Sequence, residues 1–244
     1  TMFGFLLDWI ITGMNAAVKY ISILPASTIQ AIYITPLQCV LLILLLVFMS
    51  AFAERKRMDL LYAGFIVGLF FGVLRWADYR TARAKSTMSL YAVPGHSVLE
   101  FTSDQVAFLL ADTALADKTD QLDFHVSGNQ RARYVRESSV NTTPQFIRNL
   151  KGCRLILWQN RLVIQILDKN YELHGLLKVD HIIVSNNSIS RLEDLTSQLS
   201  CNSLILDSSN FWATKSLAEA ARKAGWFVHV VREDGYFELA EKHL

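Results

Sequence analysis

IYITPLQCVLLILLLVFMSAFA, residues 32–53, runs for 22 positions without a charge. As an α-helix rising 1.5 Å per residue it measures about 33 Å, enough to cross the roughly 30 Å hydrocarbon core of a bilayer. Pro36 stands in its first turn, where a missing backbone N–H costs little, so it marks an entry to the helix and not a kink. A fold anchored in a membrane is expected, with the rest of the chain arranged on either side of this span.

Downstream, Glu54-Arg55-Lys56-Arg57-Met58-Asp59 reads as a short charged turn, and Leu60 to Leu74 is again uncharged and ends in Arg75-Trp76. This second span is only about 22 Å of helix. Arg75 can snorkel, and Tyr62, Trp76 and Tyr79 can anchor the interfaces. Transmembrane helices over about 32–53 and 60–76 therefore form a hairpin. Upstream, Phe3, Leu6, Leu7, Ile10, Ile11, Met14, Val18 and Ile21 recur at helical spacing, which predicts an amphipathic helix over 3–24. Asp8, Thr12, Asn15, Lys19 and Ser22 fall on its opposite face. Such a helix either lies in the membrane interface or turns its polar face to a water-filled cavity, and the pattern satisfies both. In the second case Asp8, Thr12, Asn15 and Lys19 face a channel. The chain opens Thr1-Met2 inside an apolar pattern with no basic leader, and reads as a piece of something longer. Lys and Arg do not fix its orientation, because Arg55 to Arg57 are answered by Arg75, Arg80, Arg83 and Lys85.

With 244 residues, 52% of them hydrophobic and 19% charged, composition excludes a disordered chain. Cys39, Cys153 and Cys201 are too few and too scattered for a disulfide-built module. The net charge of +2 hides an asymmetry: residues 1–85 carry +4 and residues 86–244 carry −2. A domain gripping nucleic acid mainly through its field would be clearly basic, and the second part is not.

After Lys85 short apolar runs alternate with turn residues, which reads as an α/β domain over 86–244. Strands are predicted at 88–93, 97–101 and 106–111, the last two joined by a turn at Ser103-Asp104. A helix falls within 117–136. A second hairpin, 154–158 with 162–167, turns near Gln159-Asn160, and 180–184 is a compact strand. Helices at 190–199 and 214–224 then alternate with strands at 203–206, 226–231 and 236–239. Trp158, Trp226 and Phe227 read as packing residues.

Motifs for chemistry are sparse. His96, His125, His174, His181, His229 and His243 are isolated, with no H-x-H or H-E-x-x-H, and Asp180 beside His181 is the one carboxylate adjacent to a histidine. Ser208-Ser209 follow a strand without the glycines of a nucleophile elbow, and Gly152 and Gly175 stand outside any phosphate loop. Arg131, Arg133, Arg136, Arg148, Lys151 and Arg154 form a basic neighbourhood that reads either as a phosphate contact or as a solvated face; the negative domain total favours the solvated face.

The order of parts resembles the C-terminal part of a ComEC-family competence protein, the inner-membrane channel that passes one DNA strand into the cytoplasm. The membrane tract with its Leu24-Pro25-Ala26 break is similar to the end of that family's competence domain. The α/β domain resembles the αββα metallo-β-lactamase fold. Ala92-Val93-Pro94-Gly95-His96-Ser97 stands where many members carry D-V-G-Q-G-D, and Leu109-Leu110-Ala111-Asp112-Thr113-Ala114 is similar to a strand ending in D-T-G. In active members a metal motif S-H-x-x-x-D-H follows an apolar strand; here 180–184 leads into Ser185-Asn186-Asn187-Ser188-Ile189-Ser190-Arg191. Asn186 and Arg191 then replace the two histidines and Ser190 the aspartate, while Asp207 in Leu206-Asp207-Ser208-Ser209-Asn210 stands near a further ligand turn. Amides and hydroxyls are poor zinc ligands and an arginine repels a cation, so Asp112, Asn186, Ser190, Arg191 and Asp207 are expected as vestigial positions, with no metal and no cofactor.

The resemblance thus implies part of an inner-membrane channel for single-stranded DNA, with an extracytoplasmic, non-enzymatic domain that is structural or contacts DNA or partners. Arg131, Arg133, Arg136, Phe211 and Trp212 are the expected contacts, the last two in a loop at the former site's rim. Single-stranded DNA, membrane lipid, other competence proteins and further copies of the chain are the expected partners. A membrane-anchored metal-dependent hydrolase with a non-standard site, and a membrane-tethered interaction module unrelated to DNA, stand as the alternatives.

Overall fold

The computed structural model describes residues 2–23, 33–173, 175–211 and 214–242, so Trp212, His174 and His243 lie outside the described residues. The chain divides into two compact units, Thr1–Pro36 and Leu37–Leu244. In the first, helix α1 (Met2–Ile23) carries Asp8, Thr12, Asn15 and Lys19 on one face, all four exposed.

The second unit begins with α2 (Pro36–Arg55) and α3 (Met58–Arg83), both long and apolar enough to cross a membrane. Pro36 is the first helical residue of α2. The two helices run antiparallel along small residues of α3: a side-chain carbon added at Gly64 would stand 3.4 Å from Phe48 Cβ, and one at Gly68 3.6 Å from Leu45 Cδ1. Glycines let helix backbones approach in an apolar medium, where dispersion and not water expulsion holds them together. At one end of the pair Gln38, 1% exposed, donates from Nε2 to Asp78 Oδ2 at 2.6 Å. Helix α3 runs 26 residues, about 39 Å, and so overruns the expected end at residue 76 by two turns. The apolar run stops at Leu74, yet Ala77, Arg80, Ala82 and Arg83 are good helix formers and carry the helix on.

Only Ala84 separates α3 from β1 (Lys85–Leu90). Then follow β2 (Val98–Ser103), β3 (Val106–Ala111), α4 (Thr113–Ala116), α5 (Thr119–Ala132), β4 (Glu137–Val140), β5 (Ile147–Leu150), β6 (Cys153–Trp158) and β7 (Arg161–Ile166). The remaining elements are β8 (Leu177–Lys178), β9 (His181–Val184), α6 (Leu192–Thr196), β10 (Leu199–Ser200), β11 (Ser203–Leu206), α7 (Thr214–Lys223), β12 (Phe227–Val230), α8 (Val231–Asp234) and β13 (Phe237–Lys242). One sheet has the order β13-β1-β2-β3-β4, a second β12-β11-β9-β7-β6-β5, and β8 pairs with β10. Strands β7, β9, β11 and β12 are mutually parallel, which places their carboxyl ends together.

Alternation along the strands builds three apolar layers. Met88, Leu90, Leu99, Phe101, Leu110, Ile156, Trp158, Val163, Ile183 and Ile205 fill the space between the sheets. Val98 and Leu109 face outward under Leu115, Leu122 and Val126 of α4 and α5. Ile164, Ile182, Val184, Leu204 and Leu206 face Leu195 of α6 and Leu217, Ala218 and Ala221 of α7. The layering is helix, sheet, sheet, helix. Both predicted hairpins turn on residues with positive φ, Asp104 and Gln105 in one and Gln159 and Asn160 in the other, the conformation a tight two-residue turn demands. Phe227 corrects the packing expectation: it is 56% exposed, because β12 is the edge strand and Phe227 opens it.

Candidate functional site

The residues next in line after the inter-sheet core are polar. Two positions from Leu99 comes Ser97, from Leu110 Asp112, from Ile156 Arg154, from Val163 Gln165, from Ile183 Ser185, and from Ile205 Asp207. A period of two keeps all six on the inner side of their strands, so they cap the core as one polar layer at the carboxyl ends of β7, β9 and β11. In open sheets with parallel strands this is where ligand sites form.

Asp207, 1% exposed, is the hub. Its Oδ2 accepts from Ser185 Oγ at 2.5 Å, and its Oδ1 accepts from Ser209 N at 3.0 Å, Ser209 Oγ at 2.5 Å and Asn210 Nδ2 at 3.0 Å. Gln165 Nε2 donates to Ser97 Oγ and to Ser185 Oγ, each at 3.1 Å, tying the two sheets together through hydroxyls. Burial pushes the Asp207 carboxyl above the usual range, and the hydroxyls of Ser185, Ser209 and Ser97 pull against that rise. Around the hub the loops are zipped: Asn186 N donates to Ser209 Oγ at 2.7 Å, Asn187 N to Asn210 Oδ1 at 2.8 Å, and Phe211 N to Asn187 Oδ1 at 2.7 Å. Asn186 and Asn187 both take positive φ, which asparagine tolerates better than most residues.

Asp112 lies at the rim, its Oδ2 accepting from Ser97 N at 2.9 Å and standing 3.7 Å from His96 Nδ1. Arg154 closes the layer, its Nη1 3.4 Å from Gln165 Oε1. Burial lowers the Arg154 guanidinium's pKa and the Asp112 charge raises it; an arginine stays cationic under either influence. Phe211, 51% exposed, covers Gly95 and lies under the Arg232 guanidinium at 4.7 Å. A Cβ at Gly95 would come within 3.3 Å of the Phe211 ring and push it back by a few tenths of an ångström, and φ at Gly95 is +80°, a conformation that glycine adopts without strain.

The predicted positions are therefore divided. Asp112, Asn186, Asp207 and Phe211 share this rim. Ser190 and Arg191 are exposed, and Arg191 stands at the N-cap of α6. Arg131 and Arg136 are exposed at the opposite end of the first sheet, where Arg136 N donates to Gln105 O. A strand of six residues, roughly 20 Å, lies between the two ends. Arg133 is held inside, its guanidinium 3.4 Å from Glu100 Oε1 and 3.1 Å from Glu238 Oε2. Sequence reasoning missed Gln165, Ser185 and Arg154 as site residues, although continuing the inner-face period past Val163, Ile183 and Ile156 reaches each of them.

The donor set does not fit a metal ion. Among the described residues no group of three or more His, Cys, Asp or Glu side chains could hold one. Four donated hydrogen bonds occupy the Asp207 oxygens, and the guanidinium of Arg154 adds positive charge beside Asp112.

Comparison with known proteins gives a match between residues 88–241 and the family model of the ComEC C-terminal domain. No curated protein sequence matches the chain. Among solved structures the metallo-beta-lactamase fold protein YhfI from Bacillus subtilis is similar at 10% identity and a TM-score of 0.36, over 64% of this chain and 99% of that one.

Proposed function

We propose a function from one premise: this chain belongs to the family of the ComEC C-terminal domain. On this reading it is the C-terminal part of an inner-membrane channel that takes up single-stranded DNA during natural transformation. Helices α2 and α3 cross the membrane as a hairpin, residues 86–244 stand on its extracytoplasmic side, and Asp8, Thr12, Asn15 and Lys19 of α1 line part of the path. The observation that carries the reading is the junction: the single residue Ala84 separates a membrane-length helix from β1, the strand within which the family match begins at residue 88. Tyr79 of α3 meets Tyr134 edge-on at 5.6 Å and Arg75 lies over the same ring at 5.2 Å, which supports a stiff coupling of span to domain.

The domain, on the same reading, has lost a metal site and is not an enzyme. The serine, glutamine and asparagine side chains around Asp207 support this, since they tie the loops together as ligands on a metal would. Phe211 with Trp212, and Arg131 with Arg136, are the proposed contacts for DNA or for other competence proteins; Arg133 serves by holding the α5 end in place. Lipid surrounds the hairpin, and further copies of the chain are proposed neighbours.

Uptake of labelled DNA into the cytoplasm tests the proposal, comparing the intact gene, its deletion and a truncation lacking residues 86–244. Loss in the deletion with retention in the truncation assigns transport to the membrane part and makes the domain accessory. Unchanged uptake in the deletion overturns the transport reading and leaves a membrane-tethered module. Orientation is tested with single cysteines at the exposed positions Lys56 and Lys178 in a chain with Cys39 replaced by serine. Labelling of Lys178→Cys and not of Lys56→Cys by an impermeant thiol reagent on spheroplasts is expected, and the reverse overturns the extracytoplasmic assignment.

A further inference from the structure

Where α3 meets the first sheet there is a groove of ≈ 460 Å³ lined by Trp76, Tyr79, Arg80, Arg83, Ala84 and Asp104. The four large side chains from α3 fall on one face, since 76, 80 and 83 and also 79 and 83 are helical neighbours. Arg80 and Arg83 are exposed, and among the described residues neither forms an ion pair with a carboxylate. Their depth is informative. Leu74 ends the apolar run, and Arg80 and Arg83 lie about 9 and 13 Å further along the helix; the run is about 8 Å shorter than the roughly 30 Å core, so the hydrocarbon reaches past Leu74 and both long side chains, snorkelling, meet the level of the lipid headgroups. Trp76, 64% exposed, stacks at a tilt on Tyr79 with ring centroids 6.2 Å apart, and such amphipathic rings settle at the membrane interface. The wall is braced from behind by Tyr134 against Tyr79. Asp104 projects from the β2–β3 turn, whose backbone takes positive φ at both central residues.

We propose that this groove binds the headgroup of an anionic phospholipid, with the phosphate on Arg80 and Arg83. Trp76 and Tyr79 lie along the glycerol and the upper acyl chain, and the Asp104 carboxylate accepts from headgroup hydroxyls, which selects phosphatidylglycerol. The site rests on the reading of α3 as a span. It fastens the β2–β3 turn to the bilayer and thereby fixes the tilt of the whole α/β domain over the membrane. A DNA phosphate shares the chemistry, but the aromatic wall continues directly into the apolar surface of α3, which suits a lipid and not a strand.

The full chain, purified in detergent, is examined by native mass spectrometry with added phosphatidylglycerol or phosphatidylcholine. One retained phosphatidylglycerol is expected, with binding weakened about thirtyfold in R80Q/R83Q, at about fivefold for each basic residue near an anionic surface. Both arginines are exposed, so the variant keeps its fold, and an unchanged melting temperature checks this. Equal retention by wild type and variant overturns the proposal. Displacement of the lipid by millimolar inorganic phosphate assigns the site to free phosphate, and displacement by a single-stranded oligonucleotide assigns it to DNA; either overturns it. Alkaline carbonate extraction separates the two levels: a chain that stays in the membrane pellet but retains no lipid sinks the headgroup site alone, whereas a released chain sinks the span as well.

Discussion

Glu100 and Asp207 are both fully buried in the α/β domain, and they are kept there by opposite means. Glu100 lies on the outer side of the first sheet beneath α5 and meets a cation, Arg133, whose guanidinium also reaches Glu238 and the Ser89 hydroxyl. Tyr91 Oη, Thr102 Oγ1 and Gln130 Nε2 complete its shell. Asp207 lies at the loop end and meets hydroxyls and amides; among the described residues no ion pair reaches it. A charge answered by a charge stands or falls with one partner. A charge spread over several neutral dipoles loses little when any one of them goes, but it carries an unanswered desolvation cost that responds to pH.

Removing Arg133 is the largest test of this contrast. Arg133→Ala leaves Glu100 buried without its cation, and breaking a buried pair from one side costs about 3–5 kcal/mol. Thermal unfolding of the purified chain in detergent, followed by circular dichroism, reads the loss. A cost within about 1 kcal/mol, the level of an exposed pair, would show that the neutral donors suffice at Glu100 too, and the two regions would then be alike.

Asp207→Ala comes next. It strips the acceptor from the Ser209 amide, two serine hydroxyls and the Asn210 side chain at once, but the hydroxyls can turn to each other and Asn210 keeps Val184 O at 2.6 Å. The expected cost is about 2–3 kcal/mol, the penalty of one or two buried donors left unpaired. Asp207→Asn should cost less, about 1 kcal/mol, because it removes the charge and keeps one acceptor oxygen. If Asn proves as damaging as Ala, the negative charge itself holds the loops, and a neutral-donor hub is the wrong description.

How far the sequence discloses these two regions differs as well. The strands came through where buried apolar residues crowd a short run: 106–111 and 203–206 are observed with the predicted bounds. Strand β4, Glu137–Val140, gave no signal because three of its four residues are exposed and two are serines. Strand β5 carries a single buried residue, Ile147. At the rim, family resemblance led to Asp112 and Asp207, and both are there. It also aligned Ser190 and Arg191 with ligands, yet the chain turns outward at Asn186 and Asn187, and Ser185, two residues beyond Ile183, is what meets Asp207. A motif counts residues, whereas a strand decides by parity which of them points inward. Arg154 shows the same lesson: placed by composition in a basic neighbourhood, it shares its face with Ile156 and Trp158. The Glu100 shell had no sequence signal at all, since Glu100 to Arg133 is a contact across 33 positions.

The smallest expected effect sharpens the contrast most, because it has a sign. The folded-state pKa of Asp207 is raised above the ordinary 3.8 by burial. Between those two values the folded chain holds a proton that the unfolded chain releases, so stability rises as pH falls through the folded pKa, is fully gained below 3.8, and is lost as pH rises above the folded pKa. Ser185→Ala removes a hydroxyl that lowers this pKa, so the folded value moves further up and the window widens. Above the folded pKa the variant should lose about 1 kcal/mol, one hydrogen bond to an otherwise satisfied carboxylate, while Gln165 keeps Ser97 as its acceptor. As pH falls toward 3.8 the variant's deficit should shrink, because a protonated Asp207 no longer needs the lost donor. Asp207→Asn, with nothing to titrate at this position, should show no such convergence with its own Ser185→Ala double variant. Melting curves for wild type and Ser185→Ala that stay parallel across this range would mean that Asp207 does not carry the unanswered charge on which the contrast with Glu100 depends.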